Sequence, residues 1–453
     1  MNARDIAVSV AARRVSALET VGAALDRIAA AKTLNAIVTV DSERALAEAA
    51  TIDQRVRRGD DMPLAGVPVV VKDNIWVEGW RITQGSRLFA DFIAPRDAIA
   101  VERLRKAGAV VVGIGATSEF ACKGVTTTPL FGSTRHPLNP ELTPGGSSGG
   151  SATAVAAGLV PLAIGTDAGG SSRRPPAHVG VVGFKPSYGA IPYGPGFAEP
   201  FFGISVIAPI AGNVADAALA FEAMAGFDPR DPDSVTLKNE DAAEFDLRIA
   251  FSPTLGLDIP VDTVVAAGLA SVVKRLVRTG LQISRCDPVW PAGATEQALM
   301  PLQHVGLAAL YAADFHRDPG QFDPDIAGQI ERGLSWRGVE VAAALGASSA
   351  ISAAFAAFFC KFDLLLAPTV PCVAWPLVQL GPTMIGGTEA SPRTHAAFTP
   401  FVNHARIPAI TIPCGRDASG LPFGIQIIAR KGHDRLLLSA AERIEREIAF
   451  MIA

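Results

Sequence analysis

Apolar positions along this chain alternate between helical and strand spacing. Ser16-Ala-Leu-Glu19 has capping-box spacing, and Leu18, Val21, Leu25 and Ile28 then recur on one helical face. A short strand is predicted over 36–40, followed by a helix over 43–58 that Gly59 stops. Gly66-Val-Pro-Val-Val-Val-Lys72 is an apolar, β-branched run, the pattern of a strand buried on both faces. A helix over 97–107 follows, with Glu102 and Lys106 one turn apart and Gly108 as its stop. Residues 109–113 read as a strand, 151–157 as a helix of small residues and 160–164 as another strand. These units predict an α/β fold, a sheet covered by helices on both faces.

The stretch 227–260 is rich in charges and turns, a candidate boundary between a core half and a more variable half. A helix is expected over 264–277, strands over 408–413 and 423–428, and a closing helix over 436–448. A split into two domains near residue 240 is one reading. The late strands are apolar enough to join the first sheet, so a single domain over 1–453 is the expectation. Residues 341–360 are uncharged throughout and long enough to span a bilayer. They are mostly Ala, Ser and Gly rather than the residues that drive insertion, which predicts a buried helix at the edge of the core.

Composition narrows the function. Net charge is 40 − 44 = −4, without the basic surplus that phosphate binding requires, so nucleic acid is not an expected partner. Only 19% of residues are charged and 49% are hydrophobic, which a chain of 453 residues can accommodate in a large core and which excludes disorder. Five scattered cysteines form no framework and point to a reducing cytoplasm. The first residues carry no apolar run of signal-peptide length, so neither secretion nor membrane attachment is expected.

The candidate chemistry lies in two loops, Thr143-Pro-Gly-Gly-Ser-Ser-Gly-Gly-Ser151 and Gly165-Thr-Asp-Ala-Gly-Gly-Ser171. A phosphate cradle fits the spacing of Gly145 and Gly150, but Ser151 and Ala152 stand where Lys and Ser/Thr belong. A nucleophile elbow fits the letters around Ser147 and Ser148, yet no strand precedes them and no histidine is marked as a partner. A third reading joins both loops in one site. There, backbone N–H groups around Gly169-Gly170 converge beside the Ser171 hydroxyl, and Lys72, ending an apolar strand, supplies the missing base. Plain loops and a surface lysine fit the same residues, so these patterns leave the choice open.

Together, Lys72-Asp-Asn, Gly145-Gly-Ser-Ser-Gly-Gly-Ser151 and Gly165-Thr-Asp-Ala-Gly-Gly-Ser171 resemble the amidase signature family. The resemblance continues through Gly180-Val-Val-Gly-Phe-Lys-Pro186, Val214-Ala-Asp-Ala-Ala218, Pro408-Ala-Ile-Thr-Ile-Pro413 and Gly420-Leu-Pro-Phe-Gly-Ile-Gln426, almost the whole chain. It implies a mixed central β-sheet, with the core motifs in about 64–190 and a variable substrate side in about 190–400. It implies a Ser–cisSer–Lys triad in which Ser171 is acylated, Ser147 bridges and Lys72 is the base. The N–H groups of Ala168, Gly169, Gly170 and Ser171 would hold the oxyanion, with Ser148 and Asp167 in support. The implied reaction is hydrolysis of a small-molecule amide through an acyl-enzyme, with no metal or cofactor; H-E-x-x-H and Cys/His pairs are both absent.

Two alternatives stay open: the A subunit of a tRNA-dependent amidotransferase, and a catalytically silent binding protein on the same scaffold. A homodimer is left open as well. The chain also departs from the family pattern. Arg174 follows Arg173 where an apolar residue is usual, Asn403-His-Ala-Arg406-Ile-Pro408 replaces Asn-x-x-Gly-x-Pro, and Asn213 replaces an arginine. Arg174 is either a substrate-anion ligand or half of an internal salt bridge, to Asp167 or Glu199. Trp290, Trp336 and Trp375, with His178, His304, His316, His395 and His404, are expected in the core.

Overall fold

The computed structural model describes residues 1–237 and 246–449. Its centre is one sheet of eleven strands. In chain order these are β1 (Ile37–Thr39), β2 (Pro68–Lys72), β3 (Val110–Gly115), β4 (Leu162–Asp167), β5 (Val182–Lys185) and β6 (Val206–Ala211). The rest are β7 (Ile249–Phe251), β8 (Ile283–Arg285), β9 (Leu364–Pro368), β10 (Ala409–Arg416) and β11 (Pro422–Ala429). The spatial order is β1-β3-β2-β4-β6-β5-β10-β11-β9-β7-β8. Pairing is parallel for β2 with β3 and with β4, and again for β9, β7 and β8, and antiparallel elsewhere. The sheet is therefore mixed. Every residue of β2, β3, β4 and β6 is buried, as the unbroken apolar runs require. The late strands β10 and β11 sit in its middle, joined to the early half through β5.

Most expected elements lie within a few residues of their sequence positions. The helix Ala17–Ala30 carries the full Ser16–Glu19 capping box, and Ser42–Arg58 ends at Gly59 with φ +85°. Five details differ. Leu18 is 41% exposed: Val21, Leu25 and Ile28 line the buried face, and Leu18 falls outside that arc. Glu102 receives the Arg230 guanidinium at 2.8 Å, whereas Arg103 in the same helix bonds the carbonyls of Met224, Ala225 and Gly226. The fourth strand runs on to Asp167, because its polar end pairs with β6 as far as Val206.

In the stretch 227–260, residues 238–245 lie outside the described part, and beyond them β7 rejoins the same sheet. The apolar helix Gly338–Phe358 is the fifth difference. Only Ala344, Ile351, Phe355 and Phe358 are buried, so it lies on the surface rather than within the core edge. Its Ala, Gly and Ser side chains gain little by burial, and the few large ones supply the packing.

Two close approaches fix the site's frame. Helix Gly149–Ala156 runs so near β3 that a Cβ on Gly150 would lie 2.3 Å from the Ala116 nitrogen. Gly170 has φ +114°, and a Cβ there would stand 2.1 Å from Thr399 Oγ1.

Candidate active site

Ligand sites in open α/β sheets form outside the carboxyl ends of parallel strands. Here β2 ends at Lys72 and its parallel neighbour β4 ends at Thr166-Asp167, bringing both loops to one place. The segment Gly145–Ser148 leads into Gly149–Ala156, and the turn 168–173 leads into the helix Arg174–Val179. As the sequence suggested, no strand precedes Ser147, so the elbow arrangement is absent.

Lys72 is fully buried, with Nζ 2.8 Å from Ser147 Oγ and 2.9 Å from Thr166 Oγ1. The Asn74 amide also donates to Thr166 Oγ1, at 3.0 Å. The Gly146–Ser147 peptide is cis. Burial pushes the lysine down to about 7, against the opposing pull of Asp167 and Cys122. A large share of Lys72 is therefore neutral at pH 7 and able to take a proton. Ser171 is 6% exposed and lines a cavity with Ala168 and Gly169. No hydrogen bond joins its Oγ to Ser147, consistent with a link that tightens only around a substrate.

The support beneath the turn is an ion pair. Arg173 donates to Asp167 through Nε at 2.9 Å and Nη2 at 3.0 Å, and both residues are wholly buried. The remaining guanidinium donors reach Gln426, Thr399 and Asn403, whose own amide returns to Asp167. Burial alone would raise the Asp167 carboxyl, but Arg173 overrides it and holds the group well below the usual carboxylate range. Ser148 Oγ and Ser172 Oγ both donate to the Thr166 carbonyl.

One expected oxyanion donor is already engaged. The Gly170 N–H donates to Asp167 Oδ1 at 2.7 Å, because the carboxylate needs donors inside the turn it stabilises. That leaves the N–H groups of Ala168, Gly169 and Ser171, to which no acceptor is bonded among the described residues. Asp167 is thus the group that shapes the turn.

The cavity has a volume of about 290 Å³, at the small end for ligand pockets. Arg174 lines it. Neither expected salt bridge to this arginine exists. Asp167 is occupied by Arg173, and Glu199 accepts the N–H groups of Phe201 and Gly203. Across the cavity, Arg393 is paired with Glu296. His304 and His395, both buried as expected, also line it. Burial pushes both imidazoles down, so they are neutral at pH 7. Trp375 packs between His178 and His395, and Trp290 against Phe355 and Phe401.

Thr166, Asn74, Thr399, Asn403 and Gln426 take part without having been singled out as site residues. Thr166, Asn74 and Gln426 stand inside the very motifs that carry the resemblance, and Asn403 opens the late motif in which the chain departs from the family pattern, whereas nothing around Thr399 marks it. Arg406, at the glycine position of the late motif, adopts φ +59° and lays its guanidinium 4.8 Å over the Tyr188 ring.

A lysine–serine–serine constellation on a mixed, helix-covered sheet defines the class, and sequence comparison agrees. The family model for amidases matches residues 19–438, and the chain belongs to the amidase signature family, whose enzymes hydrolyse C–N bonds. It is 35% identical to an acylamidase of Rhodococcus erythropolis, covering 98% of this chain and 95% of that one. It is 34% identical to the A subunit of a glutamyl-tRNA(Gln) amidotransferase of Cupriavidus necator, with 98% and 95% covered. Among solved structures, a bacterial aryl acylamidase superposes with a TM-score of 0.91 at 27% identity, covering 99% of this chain and 96% of its own. A peptide amidase from Stenotrophomonas maltophilia gives 0.79 at 28%, covering 99% and 97%.

Proposed function

We propose that this protein is a self-sufficient hydrolase of small amides, acting through an acyl-enzyme on Ser171. The observation that carries the reading is the buried, partly neutral Lys72 held 2.8 Å from Ser147 Oγ. A serine hydroxyl is a weak nucleophile until an adjacent base removes its proton. Neutral Lys72 takes the Ser147 proton as Ser147 takes that of Ser171, whose oxygen attacks the amide carbon. The N–H groups of Ala168, Gly169 and Ser171 receive the negative charge that develops on the carbonyl oxygen. The tetrahedral species then breaks its C–N bond, and the proton held on Lys72 returns through Ser147 to the departing amine. Water, deprotonated by the same relay, cleaves the ester and regenerates Ser171.

The small cavity favours a small-molecule amide over a macromolecular substrate. Cytoplasmic residence belongs to the same reading, supported by five unpaired cysteines. The second reading, the A component of a tRNA-dependent amidotransferase, draws on the 34% identity to such a protein. The acidic balance of the chain, −4, counts against a partner of tRNA. A silent scaffold has little support, because it gives no role to a lysine buried against a serine.

Purified protein alone, offered a panel of simple primary amides, separates these readings. Release of ammonia without further subunits is the expected result. Turnover only after adding tRNA and partner subunits would favour the amidotransferase. No turnover and no reaction of Ser171 with a serine-directed probe would leave the scaffold.

A further inference from the structure

Arg174 lies on the first turn after Ser171 and is 6% exposed. Its Nε is buried and meets no hydrogen-bond partner, and no carboxylate pairs with its guanidinium among the described residues. This is a costly arrangement: a buried charge is ordinarily paired and hydrogen-bonded. The contrast with Arg173 is direct, since that neighbour has all its nitrogens engaged.

Carboxylates near the cavity are already committed. Asp167 holds Arg173, Glu296 holds Arg393, and Asp323 and Asp325 share Lys123 at 2.7 and 3.0 Å. His178 and His395 beside Arg174 have their imidazoles pushed down by burial, so both are neutral and add no second positive charge, and neither can serve as a counter-anion. Burial also brings Arg174 down, to about 10, with Arg393 adding to the effect and the more distant Glu296 and Asp167 opposing it, yet it stays protonated at pH 7. The cavity end beside Ser171 therefore carries a desolvated cation with no direct ion-pair partner among the described residues.

Position decides what could satisfy it. A Cβ on Gly170 would stand 2.9 Å from Arg174 Nε, so the guanidinium lies against the turn that presents Ser171. A group reaching it from an amide bound at Ser171 has only a few bonds to span. A guanidinium fork matches a planar carboxylate, which it binds bidentately. Resting on the amidase reading above, we infer that the preferred substrates are amides bearing a carboxylate a few bonds from the scissile carbonyl, with Arg174 as its ligand. The carboxylate completes the charge balance of the cavity and sets the carbonyl over Ser171, so the same contact selects and orients.

The test is direct binding to full-length Ser171→Ala protein, which removes turnover from the readout. Calorimetric titration with succinate and with succinamide compares two ligands of nearly one shape that differ in charge. Succinate is expected to bind at least roughly tenfold more tightly, as for a desolvated charge pair. Adding Arg174→Met should abolish that preference, and Arg174→Lys should retain part of it. Equal affinity for the two ligands in the Ser171→Ala protein overturns the inference, and that comparison does not depend on any arginine variant folding. A preference that survives Arg174→Met overturns it too. Reaction of the unsubstituted protein with a neutral fluorophosphonate reports on the amidase reading separately: labelled Ser171 with no succinate preference refutes this inference and leaves that reading standing.

Discussion

Arg173 grips Asp167 through two parallel hydrogen bonds, of 2.9 and 3.0 Å, with neither side chain exposed to solvent. The same carboxylate accepts the N–H groups of Gly170 and Ser172 on either side of Ser171. The shape of the turn that presents Ser171 therefore depends on an ion pair that does not line the cavity.

Breaking that pair should cost stability as well as activity. Asp167→Asn leaves a buried guanidinium uncompensated, for which about 3–5 kcal/mol is the expected loss. Denaturant unfolding measures it. A loss below about 1 kcal/mol would mean the turn is held by other contacts. The carboxyl lies below its ordinary value near 3.8 in the folded protein, so its contribution is present above that pH and fades as pH falls further.

Lys72 should govern the acid limb of the reaction. Its neutral form is the active one, so kcat/KM is expected to rise as pH passes through about 7 and level off above. Lys72→Ala should remove that limb and lower kcat by roughly three orders of magnitude or more. An unchanged acid limb in the variant would assign it to another group. The stability effect runs in the same direction as that of Asp167, rising with pH, but over a higher interval. A lysine lowered from 10.5 to about 7 penalises the fold at low pH, and stability is regained as pH rises across that interval.

Gly170 separates space from strain. Alanine there would bring a Cβ to 2.1 Å from Thr399 Oγ1 at φ +114°, displacing the 169–171 turn. Turnover should fall by roughly two orders of magnitude. Gly158 also has positive φ, +68°, but with nothing within 4 Å of a Cβ. Gly158→Ala should cost about 1 kcal/mol of stability with kcat unchanged. Equal kinetic effects in the two variants would argue against a special role for the 169–171 turn.

The apolar runs that became β2, β3 and β4 were readable because strands buried on both faces leave no polar positions to blur the signal. Residues 72, 147 and 171 could be placed together because Gly and Ser clusters beside a strand-end lysine are unusual and match a known layout. What escaped was whatever depends on long-range pairing. That Gly170 donates to Asp167, and that Arg173 rather than Arg174 takes this carboxylate, follows from side-chain directions in one tight turn, and both residues are arginine in the sequence. The surface position of Gly338–Phe358 was equally hidden, since an Ala-rich helix carries no polar stripe to mark an outer face.

The central claim, that Ser171 is acylated through a relay starting at Lys72, is tested most directly by locating and timing a covalent adduct. Protein incubated with a small fluorophosphonate, sampled over time and mapped by peptide mass spectrometry, should carry a single phosphonyl group on Ser171. The adduct should be absent in Ser171→Ala and should form at least roughly a hundredfold more slowly in Lys72→Ala and Ser147→Ala. Labelling of the Ser171→Ala protein at the unsubstituted rate, or an adduct mapped to Ser147 or Ser148, would contradict the account.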